Sequence, residues 1–366
     1  MKSLIVNKAD LSENIQKIKA YGEKNNTKII AMIKGNGYGL GICEFAGLLS
    51  ENGIDTFSVS LLEEAVKLRN SGIPGKIMLL SPLCEIEDVI QAIENDIILC
   101  ISSPESATAV NIATKQINKT AKIQIAIDTG FGRFGFLYNK TDEAAVCINL
   151  LDTCSVEGCF SHFSDSFGKN ERHTCIQFDR FKAAVADLNS RGIQTKICHI
   201  CNSSAFLRFN DMHLDAARVG SAFLGRILTE NTLGLKKIAW LESKVIEVKT
   251  LPKCYNIGYA NTYTTKHETK IAVVPIGYMD GFGVIKANDT YRFADCARYI
   301  YHNVLALFRD MKVYVEINGK KCPVLGRISM FNIVVDVTGK DVYAGDIVKA
   351  QCNPILIESS VKREYI

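Results

Sequence analysis

Between residues 29 and 223 short apolar runs alternate with amphipathic stretches, and this alternation limits the possible folds more than any other feature. The runs 29–33, 56–60, 76–80, 97–101, 122–128, 155–162, 196–201 and 215–223 read as strands. Segments of helical period separate nearly all of them. The clearest is 177–191, which places Phe178, Phe181, Val185 and Leu188 on one face and has Gly192 after it. Asp10 with Glu13, and Ser60 with Glu63, have the spacing of capping boxes, and Ser103 followed by Pro104 marks another helix start. Eight β/α units in about 200 residues predict an α/β chain whose first part, 9–235, is a (β/α)8 barrel of the TIM type; a doubly wound sheet is the rival.

Past residue 236 the alternation stops. Strands at 242–248, 270–274, 312–317, 324–325 and 333–337, with turns such as Asn318-Gly319, predict a mainly β C-terminal domain over 236–366. The N-terminal strand within 1–8 is expected to join it. Phe293, Ala297, Ile300, Val304 and Leu307 recur at helical spacing, so an amphipathic helix is expected over 291–309, as a surface elaboration covering the β domain.

Composition narrows the function classes. The chain has 366 residues, 47% of them apolar, enough for two domains with cores. Lys+Arg 43 against Asp+Glu 39 gives a net charge of +4 without a basic run or aromatic-interleaved patch, so no nucleic-acid partner is implied. No apolar run approaches the ~18 residues of a membrane span, and Met1-Lys2-Ser3 leads straight into a strand, so neither a span nor a signal peptide is expected. The 13 cysteines are scattered, several inside apolar runs, which suits reduced thiols and a cytoplasmic location. Cys198 and Cys201 have C-x-x-C spacing, but no second pair lies nearby and strand alternation sends them to opposite faces; no metal is expected there.

The candidate chemistry sits at strand ends. Lys34 follows the apolar run 29–33 and precedes Gly35, Gly37, Gly39 and Gly41, expected to form a glycine-rich loop before a helix at 42–49. Such a lysine is either a solvated loop residue or an amine presented at the carboxyl end of a barrel strand. The glycines match neither G-x-G-x-x-G nor a P-loop. Asp128-Thr129-Gly130-Phe131-Gly132-Arg133 ends the fifth strand and offers a guanidinium among glycines. It is a surface turn or an anion contact. His162 ends the sixth strand, Asn202-Ser203-Ser204 the seventh, and Arg218-Val219-Gly220-Ser221 the eighth.

The stretch from Lys34 to Gly41 closely resembles the lysine motif of the alanine racemases, and the resemblance extends over essentially the whole chain in motif order. Family members use pyridoxal 5′-phosphate (PLP). The resemblance implies that Lys34 holds PLP as a Schiff base and serves as one catalytic base, and that Tyr38 and Ser203, with the backbone at Gly220 and Ser221, bind the phosphate. Arg133 is implied to contact the PLP phenolate oxygen and the substrate carboxylate. Ala126 stands where many members carry a carbamylated lysine supporting this arginine, so the support must come from elsewhere, such as an anion or water. Arg218 is implied to face the pyridine nitrogen. His162 is implied to link it to the second base, which Ile257-Gly258-Tyr259-Ala260-Asn261 identifies as Tyr259. Tyr278, 19 residues on, and Met330 in Gly326-Arg327-Ile328-Ser329-Met330 are implied substrate contacts. The family's tyrosine comes from the partner subunit, which implies a homodimer with shared sites.

The expected activity is interconversion of L- and D-alanine. The tail 359–365 resembles the family's closing segment, with Ser359 where most members have a tyrosine. A small polar residue there, Phe331 and the long insert are similar to the serine/alanine racemases linked to vancomycin resistance, which usually carry a membrane domain. Serine is therefore an expected second substrate, a serine-preferring racemase being one alternative. A PLP-dependent decarboxylase of similar architecture is another, but that class places an acid at the pyridine nitrogen, where Arg218 stands. A non-enzymatic PLP-binding protein is usually a single barrel, without a β domain.

Overall fold

A computed structural model describes residues 2–285, 287–289, 291–308 and 312–366; position 309 of the expected inserted helix falls outside them. The chain divides into two compact units, Lys8–Ile238 and Met1–Asn7 with Ala239–Ile366.

The first unit is a closed barrel of eight parallel strands, Lys28–Met32, Thr56–Val59, Lys76–Pro82, Ile97–Ile101, Ala121–Asp128, Cys154–Phe160, Ile197–His199 and Ala216–Val219. Each pairs with its sequence neighbours, and the eighth pairs with the first to close the ring. Buried on both faces, these strands are near-continuous apolar runs rather than alternating ones. Inside, Ile30, Met78, Ile98 and Ala216 pack as one cluster, and Cys100, Ala126 and Phe160 as another. Several strands are shorter than expected because the chain leaves the ladder at the site end: the eighth stops at Val219 and turns into a 3-10 segment, Ser221–Leu224.

Helix starts divide the sequence signals. Ser103 caps Pro104–Ile117, accepting from the Ser106 N–H, with Ser106 reciprocating, as expected. The other two expected caps are not formed. The first helix, Lys8–Lys24, begins before Asp10; Lys236 bonds Asp10 (2.9 Å) and Glu13 (2.6 Å) instead. The helix Leu62–Asn70 has Leu61, not Ser60, at its cap.

The second unit is mainly β. Its nine-stranded sheet places Ser3–Val6 between Ala239–Lys244, antiparallel, and Lys362–Tyr365, parallel. The run expected as one strand over 242–248 is two, Ala239–Lys244 and Glu247–Leu251, broken where Val245 bonds Asp346 and Ile246 bonds Val273. The inserted helix exists as Phe293–Ala306 but does not cover the β domain with its apolar face. Phe293 is 88% and Leu307 79% exposed, while its buried residue, Asp295, pairs with Arg292 and Arg298. No helix among the described residues is long and apolar enough to cross a membrane.

Candidate active site

Strand periodicity carries interior positions into polar groups at the carboxyl ends. Ile30 belongs to an interior cluster and Lys34 follows in the same phase; Ala216 leads to Arg218, and Phe160 to His162.

Lys34 opens a turn that differs from the expected loop: it is a short left-handed helix. Gly35 (φ 64°, ψ 51°), Asn36 (53°, 50°) and Gly37 (66°, 42°) are followed by Tyr38 at φ 54° and Gly39 at φ 84°. Left-handed helical backbone costs a residue with a side chain about 1–2 kcal/mol, so alternate glycines make the run possible. Gly37 N–H donates to Ile33 O and Gly39 N–H to Gly35 O, each at 2.9 Å. The Asn36 N–H donates to Glu64 Oε1 (2.8 Å), and its Oδ1 accepts from the Ile42 N–H (3.0 Å), tying the turn to the helix Ile42–Glu51. Lys34 is half-buried. Burial, then the positive charges of Arg133 and Arg218, lower its amine pKa, with Glu64 opposing.

Arg218 is buried at the end of the eighth strand. Its Nη2 donates to Ser161 O (2.6 Å), Ile200 O (3.4 Å) and His162 Nδ1 (3.0 Å); its Nη1 donates to His199 O (3.2 Å) and His199 Nδ1 (2.5 Å). Guanidinium has no acceptor, so both histidine Nδ1 atoms must be unprotonated, and each neutral ring carries its proton on Nε2. Burial and the Arg218 charge agree, holding both histidines well below the ordinary range. Burial also lowers Arg218 to about 10, which leaves it a cation at neutral pH. His199 stacks on Phe160 with 5.5 Å between centroids, and its Nε2 has no partner among the described residues.

Arg133 lies in a loop shaped by Asp128, whose carboxylate accepts from the N–H groups of Gly130, Phe131 and Gly132 at 2.8–3.2 Å. A Cβ at Gly135 (φ 112°) would strike Asp128 N at 2.6 Å, so only glycine closes this loop. The Arg133 guanidinium rests on the rings of Phe131 and Phe134, 4.4 and 5.2 Å from their centroids.

The first, seventh and eighth strand ends meet at Tyr38, Ser203 and Gly220. The Gly220 N–H donates to Ser203 Oγ (3.0 Å), leaving the serine proton free to donate. A Cβ on Gly220 would lie 2.7 Å from both Cε2 and Oη of Tyr38. Burial raises the Tyr38 pKa, which keeps it a neutral donor. Ser221 follows, half-buried, at the start of its 3-10 segment.

The remaining expected residues lie in the other unit, on exposed turns. Tyr259 is 71% exposed in a 3-10 turn that also holds Ala260 (φ 59°) and Asn261 (φ 50°). A Cβ at Gly326 would strike Ile257 O at 2.6 Å, which places the Tyr259 turn beside Arg327. Tyr278 N–H donates to Ser329 O and Met279 N–H to Met330 O, each at 3.1 Å, so Tyr278 and Met330 belong to paired segments. Ser359 is exposed and its hydroxyl donates to Glu358 (2.9 Å).

Sequence reasoning missed three contributors. His199 lay inside the stretch examined only for cysteine metal ligands, although a polar residue at a barrel strand end was its own signal. Cys198 and Cys201 instead donate to Thr195 O and Met212 O, and no group of three or more potential metal ligands exists among the described residues. Gln177, taken with an amphipathic helix, reaches back to His162 O (3.1 Å) and Thr129 Oγ1 (3.3 Å). Glu64, which braces the lysine turn, had no local signal.

Comparison with known proteins agrees in both units. The family model "Alanine racemase, N-terminal domain" matches residues 6–227, and "Alanine racemase, C-terminal domain" matches 238–355. The alanine racemase of Methanococcus maripaludis is 33% identical over 347 residues, 93% of this chain and 86% of that protein. That of Clostridium tetani is 32% identical over 341 residues, 91% and 81%. Among solved structures, alanine racemase from Clostridium difficile 630 superposes with a TM-score of 0.86 at 27% identity, covering 100% of this chain and 95% of that one. The enzyme from D-cycloserine producing Streptomyces lavendulae gives 0.86 at 28%, covering 100% and 97%. The chain belongs to the alanine racemase family, PLP-dependent isomerases built from a (β/α)8 barrel and a mainly β C-terminal domain.

Proposed function

We propose that the chain interconverts L- and D-alanine, and turns over serine as well, using Lys34 and Tyr259 as bases on opposite faces of the substrate Cα. The observation that carries this reading is the Lys34 amine, held below its ordinary pKa at a strand end by burial and two arginines. A half-buried amine at that strand end is placed to hold PLP covalently and, once free, to act as a base.

The residues present suit PLP. Neutral donors at Tyr38, Ser203 and the Ser221 backbone, beside a Gly220 with no room for a Cβ, suit the phosphate. The described bonds of Arg218 use both terminal nitrogens and none uses Nε, which leaves that N–H for the ring nitrogen. When bound, PLP supplies an electron sink for the charge left at Cα as its proton departs. Arg218 cannot accept a proton, so a ring nitrogen held beside it would stay unprotonated, which would favour return of the proton to Cα over other outcomes. Arg133 is taken as the barrel's partner of the substrate carboxylate, and Tyr278 and Met330 of the second unit as substrate contacts on the same side as Tyr259. His162, its Nδ1 occupied by Arg218, keeps Nε2–H as a donor for the second base.

Tyr259 is taken to act in the partner's site, which makes the functional unit a homodimer; its exposed position supports this reading. The small, exposed Ser359 supports room for a hydroxymethyl substrate. A cytoplasmic location belongs to the same proposal, supported by 13 free cysteines.

The test is to incubate the PLP-loaded enzyme with each alanine enantiomer and follow chirality, for wild type and Tyr259→Phe. Loss of a positioned base costs about 10²–10⁴-fold, and here it should fall more directly on proton removal from one enantiomer. Small, equal effects in both directions would remove Tyr259 from the mechanism.

A further inference from the structure

Arg133 and Arg218 are held in different ways. Arg218 donates to five protein acceptors. Arg133 makes no hydrogen bond or ion pair with any described residue. The nearby carboxylate of Asp128 bonds the N–H groups of Gly130, Phe131 and Gly132. Ala126, buried seven residues before Arg133, offers no charge. The guanidinium lies instead against the rings of Phe131 and Phe134. Phe131 also presents its ring to His162, with centroids 5.2 Å apart and planes at 68°.

We propose that Phe131 and Phe134 are positioning residues that clamp the Arg133 guanidinium through their rings. This rests on the reading of Arg133 as the partner of the substrate carboxylate. A carboxylate partner would take up two of the five in-plane N–H groups and neutralise the charge. Rings attract the guanidinium through their quadrupole, carry no countercharge, and leave the full charge for the substrate. The retained charge is one of those lowering the pKa of Lys34 and of His162. A clamp of this kind also needs no bound anion, so the site should function without chloride or bicarbonate.

Propionate, which has the carboxylate and methyl of alanine but no amine, probes the clamp without turnover. Its dissociation constant on the PLP-loaded enzyme, measured by calorimetry, should weaken about tenfold in the Phe131→Leu/Phe134→Leu pair, two exposed cation–π contacts being of that size. The alanine KM should rise in parallel with kcat within about threefold. Phe131→Tyr, which keeps the ring, should bind propionate within about twofold of wild type, and Phe134→Leu alone should lie between. Arg133→Gln separates the two readings. If it leaves propionate affinity intact, the role of Arg133 falls, and the clamp with it. If it weakens binding while the leucine pair does not, the clamp alone is refuted. Tighter propionate binding on adding chloride or bicarbonate to depleted wild type would also refute it, because an anion would then be the partner.

Discussion

Gly220→Ala isolates the contact between the first and eighth strand ends. Gly220, at φ −138°, is not in the left-handed region. The demand for glycine comes from Tyr38: a Cβ would lie 2.7 Å from Cε2 and Oη and 2.8 Å from Cζ. Restoring ordinary contact requires the ring to retreat by about 0.7 Å. The retreat is resisted, because the Tyr38 backbone is part of the left-handed turn and Gly39 and Gly41 are bonded to its first residues. Overpacking of this kind costs about 1–3 kcal/mol. If that cost falls on the arrangement proposed to receive the phosphate, PLP affinity drops about 5- to 160-fold. The assay is titration of dialysed apoprotein with PLP, followed by absorbance, with melting of the apoprotein reporting any general loss of stability. In a Tyr38→Ala background the same substitution should add little, since the ring it strikes is gone. PLP binding as tight as wild type in Gly220→Ala, or an equal loss in the Tyr38→Ala background, would refute the reasoning.

Other outcomes follow from the same geometry. His162 and His199 are held well below 6.5 in the folded chain, so the unfolded chain binds more protons at mildly acid pH. Apoprotein stability should therefore be level above about pH 7 and fall as pH drops below about 6.5, by up to about 1.4 kcal/mol per pH unit for each histidine. His199→Gln should flatten that slope, and an unchanged slope would mean that other groups set it. Lys34→Ala should retain no covalent PLP after borohydride reduction; a stable adduct would mean another lysine is the anchor. Mixing inactive Lys34→Ala with inactive Tyr259→Phe subunits should restore some activity, and none under verified exchange would argue against a shared site. Ser359→Tyr should depress serine turnover relative to alanine by under about tenfold, and an unchanged ratio would remove Ser359 from substrate choice.

The barrel was legible because its signal is collective. Any one of the runs at 29–33 or 97–101 could be a buried helix segment, but eight of them at regular spacing leave few closed arrangements. Single-residue signals were weaker. Ser103 caps its helix, whereas Ser60 and Asp10 do not, because the chain starts those helices at Leu62 and Lys8. For Asp10 the competing partner, Lys236, lies 226 positions away, and no local pattern could announce it. The inserted helix shows the same division. Its periodicity was readable, but what its apolar face packs against was not, and Phe293 and Leu307 stay exposed.

In the site, strand-end position picked out Lys34, His162 and Arg218, because alternation hands an interior position to the next polar residue of the same phase, whereas Arg133 lies in the loop past Asp128 and was marked by its glycines. The conformation of the lysine turn was hidden. Four glycines alternating with other residues read as a flexible loop, and the structure makes them a left-handed turn with Asn36 and Tyr38 in strained backbone. Strain of about 1–2 kcal/mol at a residue with a side chain persists only where something over-determines it. Asn36 is fixed through Glu64 and Ile42, which anchor the turn on both sides. Tyr38 is fixed by its ring on the bare backbone of Gly220. The glycines at 35, 37 and 39 thus make room for two strained residues whose side chains each do a specific job. One locks the turn that carries Lys34, and the other brings a phenol from the first strand to the end of the eighth.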